Sequence, residues 1–145
     1  MLKLYAHPFS SYCQKVLIAL YENDIPFEFR LVEPGSSASD ELAALWPFRK
    51  FPVLVDGEHT VIEATCIDEH QHVYHRGPVP LIPSDPARAL KVRFLDRFFD
   101  NYVSTTARQV RLRPAAARGV SRSLRRRRGE GDAGHLLRVA GAIPG

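Results

Sequence analysis

Cysteine is scarce in this chain. Cys13 and Cys66 are the only two in 145 residues, too few for the disulfide framework that staples small secreted domains. Long apolar runs are missing as well, and none approaches the ~20 residues that a membrane-spanning helix needs. The N-terminus, Met1-Leu2-Lys3-Leu4-Tyr5, shows no signal-peptide pattern and enters a strand-like alternation at once. These absences predict a cytoplasmic protein with no membrane association. Aromatic residues stop at Tyr102 and acidic ones nearly do. Residues 104–145 hold 10 Arg and 2 acids, whereas residues 1–103 hold 10 Lys/Arg and 14 acids. The net charge of +4 therefore belongs to the tail and says little about the part that folds.

Up to residue 76 the sequence alternates strand and helix patterns. Lys3-Leu4-Tyr5 reads as a first strand. Cys13, Val16, Leu17 and Leu20 fall at i, i+3, i+4 and i+7, one face of a helix from about Ser11 to Asn23. Phe27 to Val32 alternates as a strand does. Pro34-Gly35-Ser36-Ser37 is a loop, and Ser39-Asp40-Glu41 opens a short helix that Trp46-Pro47 ends. Phe51–Val55 and Thr60–Ile62 form a hairpin joined through Asp56-Gly57-Glu58-His59. A third helix starts near Glu63. The order βαβ, helix, hairpin, helix predicts an α/β fold with a mixed four-stranded sheet.

The remaining organisation follows from composition. Residues 77–86 carry Pro78, Pro80, Pro83 and Pro86 and read as a linker. Residues 87–103 read as an amphipathic helix with an apolar stripe of Val92, Leu95, Phe98, Phe99, Tyr102 and Val103. Residues 104–145 show no sustained period and are expected to be a disordered basic tail.

The turn after the first strand carries the chemistry. Ser10 and Cys13 sit three residues apart where a helix begins, facing its unpaired N–H groups and positive dipole end. Such a place can hold a thiolate. Either Ser10 donates a hydrogen bond to a bound one, or Cys13 becomes one itself. Ser10 could equally be a plain helix cap, and Cys13 could be a core thiol, since it lies on the apolar stripe.

Ser10, the Phe51-Pro52 step, Glu63 at a helix start and the run Ser-Ser-x-x-x-Lys-Val-x-Ile-Ala-Leu from Ser10 to Leu20 resemble the cytosolic glutathione S-transferase family. The likeness is to the N-terminal thioredoxin-like domain of its zeta, theta and tau serine classes. It covers roughly residues 1–103. It implies a thioredoxin-like glutathione-binding domain over residues 1–76, followed after the linker by the first helix of an all-α domain that is otherwise truncated. Under this resemblance Ser10 is the catalytic hydroxyl that hydrogen-bonds the glutathione sulfur. Pro52 is cis and turns the Phe51 backbone toward the glutathione cysteinyl unit. Lys50 meets a glutathione carboxylate or is a solvated lysine. Glu63 binds the γ-glutamyl ammonium or is a capping acid, and the helix amides around Ala64 bind its carboxylate. Ala64 departs from the family's usual serine and removes one hydrogen bond, weakening binding by roughly 1–2 kcal/mol. Cys13 is the alternative redox residue.

Two further clusters carry charge or metal-binding side chains. His70, His72 and His75 suggest a metal, but on a regular helix only His72 and His75 share a face, and no carboxylate or cysteine nearby completes a set. No metal is expected. Arg125 to Arg128 is a cationic run without interleaved aromatics, so no specific nucleic-acid partner is expected. The loss of periodicity after Val103, with Arg, Ala, Gly and Pro dominating, reads as a frameshift or truncated end. The expected function is a transferase that activates the thiol of glutathione, its co-substrate, for attack on a small electrophile, working as a homodimer. The alternative is a non-catalytic or redox thioredoxin-like module that binds glutathione or a protein partner.

Overall fold

The computed structural model describes residues 1–106. The expected disordered tail beyond them, including Arg125–Arg128, lies outside the described residues. The chain divides into two compact units, Met1–Val92 and Arg93–Gly145.

The first unit holds strands β1 (Leu2–Ala6), β2 (Phe27–Leu31), β3 (Val53–Asp56) and β4 (His59–Ile62) and helices α1 (Ser11–Glu22), α2 (Ser37–Leu45) and α3 (Ala64–Tyr74). The sheet order is β2-β1-β3-β4. β1 runs parallel to β2, while β1–β3 and β3–β4 are antiparallel. This is the mixed, thioredoxin-like sheet expected. The crossover through α1 makes the parallel pair, and the hairpin adds the antiparallel one. The alternation of β1 divides the core. Leu2, Leu4 and Ala6 face α1 and α3 with Cys13, Val16, Leu20, Leu54 and Ile67. Tyr5 faces the opposite side with Val32, Ala38, Leu42 and Val53, where α2 packs. The buried Tyr5 hydroxyl donates to Glu41 Oε2 at 2.8 Å, and the Arg30 guanidinium pairs with the same carboxylate.

Local chemistry moves some boundaries from their expected positions. α2 begins at Ser37 rather than Ser39, because Ser36 Oγ accepts from the Ser39 N–H at 3.2 Å and caps the helix earlier. β3 starts at Val53, after the cis Phe51–Pro52 bond. Proline has no N–H to give a sheet ladder. The hairpin pairs Asp56 with His59, with Gly57 at φ +58° taking the left-handed turn position.

The proline-rich segment is pinned to the end of α1. Asn23 is buried. Its Nδ2 donates to Ala19 O at 3.1 Å, and its Oδ1 accepts from the Val79 N–H at 2.9 Å. Gly77 passes so close that a Cβ there would lie 2.4 Å from Asn23 side-chain atoms. Helix α4 (Pro86–Phe98) follows. In the second unit the chain continues as a π-helical stretch, Phe99–Ser104.

Candidate functional site

Three segments meet at one end of the sheet: the β1–α1 turn, the cis-proline step and the start of α3. In the turn, the Ser10 N–H donates to His7 O at 3.0 Å and the Gln14 N–H to Ser10 O at 2.9 Å. Ser10 has extended backbone angles and caps α1. Its Oγ accepts from the Cys13 N–H at 3.4 Å. The Gln14 side chain donates to Pro8 O at 2.6 Å and ties the turn shut.

The His7 ring links this turn to the cis-proline step. Its centroid lies 6.1 Å from that of Phe51 in a stacked arrangement and 5.5 Å from that of Phe9. His7 Nδ1 accepts from the Phe9 N–H at 3.2 Å, which places the ring proton of the neutral imidazole on Nε2. Phe51 is half-buried and packs on the cluster that includes Ala6, Cys13 and Ala64. Lys15 Nζ donates to Thr65 Oγ1 at 3.3 Å, joining the N-terminal part of α1 to the first turn of α3.

Glu63 precedes α3 with φ 68° and ψ 124°. This conformation costs a non-glycine residue of order 1–3 kcal/mol, and such residues cluster at functional sites. Its side chain is exposed, its carbonyl accepts from the Ile67 N–H at 3.0 Å, and it makes no side-chain cap bond. Ala64 is buried at the helix start and Lys50 is exposed. Phe51 and Ala64 pack in the cluster that holds Cys13, three residues after Ser10; Pro52 is buried, and Lys50 and Glu63 are exposed.

Cys13 is fully buried. Burial pushes its thiol up from the usual value, against a hydrogen bond from the His7 backbone and one from the Ser10 hydroxyl that pull it down. Between the two readings of this residue, the surroundings favour a core thiol.

The histidines depart from the sequence expectation. His70 Nε2 lies 2.9 Å and His75 Nε2 2.6 Å from the same oxygen, Asp56 Oδ2. Both hydrogen bonds, that of His70 first, hold the Asp56 carboxyl below its ordinary value. Helical spacing separates positions 70 and 75, but His75 lies past the last helical residue with φ −129° and ψ 59°. The helix period no longer governs its direction there. Asp56 comes from the hairpin, so no local spacing could have announced it. Contrary to the expectation from sequence, a carboxylate, that of Asp56, does join two of the histidines. His72 is not part of the group.

A cleft of about 440 Å³ lies away from the Ser10 turn, lined by Asn23, Gln71, His75, Gly77, Ile82 and Arg88 among others. Gln71 is fully buried at its base, and neither of its amide atoms finds a partner among the described residues. The Ser10 turn does not line this cleft; it forms an open shelf on which Pro8 and Phe9 are exposed and Ser10 is half-buried.

Residues 4–78 match the family described as glutathione S-transferase, N-terminal domain. Human glutathione S-transferase theta-1 is 41% identical over 68 residues, covering 46% of this chain and 28% of that protein. The uncharacterized GST-like protein YibF of Escherichia coli (strain K12) is 31% identical over 129 residues, covering 87% of this chain and 63% of that one. That alignment runs past Val103 into the basic segment. A glutathione S-transferase from Methylobacillus flagellatus KT, solved with glutathione bound, shares the fold with a TM-score of 0.61 at 27% identity, over 69% of this chain and 49% of its own. The chain spans less than two thirds of the length of each of these relatives.

Proposed function

This chain belongs to the glutathione S-transferase family, and from that premise we propose that it binds glutathione on the shelf at Ser10 and activates its thiol for attack on a small electrophile. The observation that carries this reading is the position of Ser10. Its hydroxyl stands at the N-terminus of α1, and the His7–Phe51 stack holds the cis-proline step alongside.

The energetics are within reach of these groups. A free thiol has a pKa of roughly 8.5, so only a few per cent is thiolate at neutral pH. Lowering that pKa by about two units takes ~2.7 kcal/mol of preference for the anion. The Ser10 O–H as donor, with the positive end of α1, is of the right size. The Phe51 backbone pairs with the cysteinyl unit as an added strand would. Glu63 takes the γ-glutamyl ammonium, the first amides of α3 at Ala64 take its carboxylate, and Lys50 takes the glycyl carboxylate. The thiolate then forms the new carbon–sulfur bond and the electrophile's leaving group departs with its electron pair. Residues 1–76 are the glutathione-binding domain in this reading, and 87–103 begin the second domain.

The test combines glutathione binding by calorimetry with conjugation of a chlorinated nitrobenzene. Ser10→Ala is expected to lower kcat/KM about 10- to 100-fold, the worth of one hydrogen bond to a charged group. Cys13→Ser is expected to leave conjugation near the parent value. Conjugation untouched in Ser10→Ala would rule out the serine–thiolate mechanism.

A further inference from the structure

We propose that Asp56, His70 and His75 form a binding site for one divalent transition-metal ion of the Zn²⁺ class, with one coordination position left to water. The site stands apart from the Ser10 shelf, and the inference does not depend on the glutathione reading.

The geometry is that of convergent donors. One ligand atom from each of the three residues lies within 4.8 Å of the other two. Both imidazoles aim Nε2 at a single carboxylate oxygen, at 2.9 and 2.6 Å. Their ring centroids are 5.9 Å apart with planes at 45°, so the edges converge while the faces do not stack. Ligands on a tetrahedral ion with bonds of 2.0–2.1 Å stand about 3.3 Å apart. Opening the present contacts by less than an ångström makes that room.

The surroundings suit an ion. The side chains of His70, His75 and Asp56 retain 12%, 28% and 27% of their exposure. The group is thus partly withdrawn from water yet open on one side, where an ion can enter and a water can complete the set. Two imidazole nitrogens with one carboxylate oxygen favour Zn²⁺, Co²⁺, Ni²⁺ or Cu²⁺ over Mg²⁺ and Ca²⁺, which prefer all-oxygen sites. On binding, each neutral imidazole carries its proton on Nδ1 rather than Nε2. The exchange runs through water and changes no net charge. The ion would clasp the β3–β4 hairpin, through Asp56, to the C-terminal end of α3.

The experiment uses the full chain, stripped with a chelator and kept free of glutathione, whose thiol would compete for metal. Co²⁺ is titrated as the probe. One equivalent is expected to bind with the intense visible absorption of a four-coordinate ion, and Zn²⁺ is expected to abolish that absorption. Asp56→Asn, His70→Gln and His75→Gln should each weaken Co²⁺ binding at least tenfold, while His72→Gln and Ser10→Ala bind as the parent does. Should a variant fail to fold, Cu²⁺ electron paramagnetic resonance of the parent chain counts the ligands directly. Two imidazole nitrogens are expected, and one or none overturns the site. Absence of saturable Co²⁺ binding, or binding that survives His70→Gln and His75→Gln in folded protein, marks an adventitious ion only and likewise overturns it.

Discussion

Cys13 and Cys66 carry the same thiol in opposite settings. Cys13 is fully buried on α1, and Cys66 is exposed on α3. Iodoacetamide is expected to label Cys66 in the native chain and to reach Cys13 only on unfolding, which mass spectrometry of timed samples would read. Fast native labelling of Cys13 would contradict its place in the core. The pH dependence has a definite sign. The folded thiol is held above its ordinary value by burial. The stability it contributes is therefore fully present below that value and is lost as pH rises through the raised one. Denaturant midpoints measured across the alkaline range should fall for the parent and fall less for Cys13→Ala. Residue by residue, the sequence disclosed Cys13 well, because apolar spacing at i, i+3, i+4 and i+7 is a burial signal in itself. It did not disclose Asp56 or His7. Neither sits in a periodic pattern, and each acquires its neighbours only when the sheet brings distant segments together.

At the scale of elements, the connection after α3 is fixed by one asparagine and one glycine. The Asn23 amide bridges Ala19 O and the Val79 N–H, and Gly77 fills the gap left for it. Gly77→Ala forces a Cβ to within 2.6 Å of the Asn23 backbone oxygen as well as its side chain. A loss of about 1–3 kcal/mol is expected, the usual cost of overpacking. Asn23→Ala should cost a similar ~1–3 kcal/mol by leaving a buried partner unmet. Urea titration of both variants would check this, and an unchanged midpoint for Gly77→Ala would show that the segment yields freely. The helices and strands themselves were legible because each has its own period. The Asp-Gly pair announced the hairpin, and Ser11 opened its helix where expected. The positive φ of Glu63 was not legible, since glutamate has no preference for that region. It arises where the end of β4 must turn into α3.

The whole molecule joins a family domain to a second unit that opens on aromatic residues. Phe94, Phe99 and Tyr102 are exposed in the described part of that unit, while Phe98 is buried. Their rings cluster, with Phe98 5.5–6.2 Å from each of the other three. An exposed aromatic stripe of this kind marks an interaction surface. Self-association of the full chain is expected, seen as a dimer or larger species by size-exclusion chromatography with light scattering. Phe99→Asp should shift it toward monomer. A monodisperse monomer of the parent chain would count against the homodimer reading.

The Lys15–Thr65 hydrogen bond has one more consequence. It ties together the N-terminal ends of two helices that both open at the same end of the sheet, since α1 follows β1, α3 follows β4, and these strands run the same way. Each helix start carries about half an elementary charge made of peptide groups. Together they amount to about one positive charge that no proton can neutralise and no side-chain substitution can delete. The part of an anion's attraction that comes from these peptide groups does not change with pH while the fold survives.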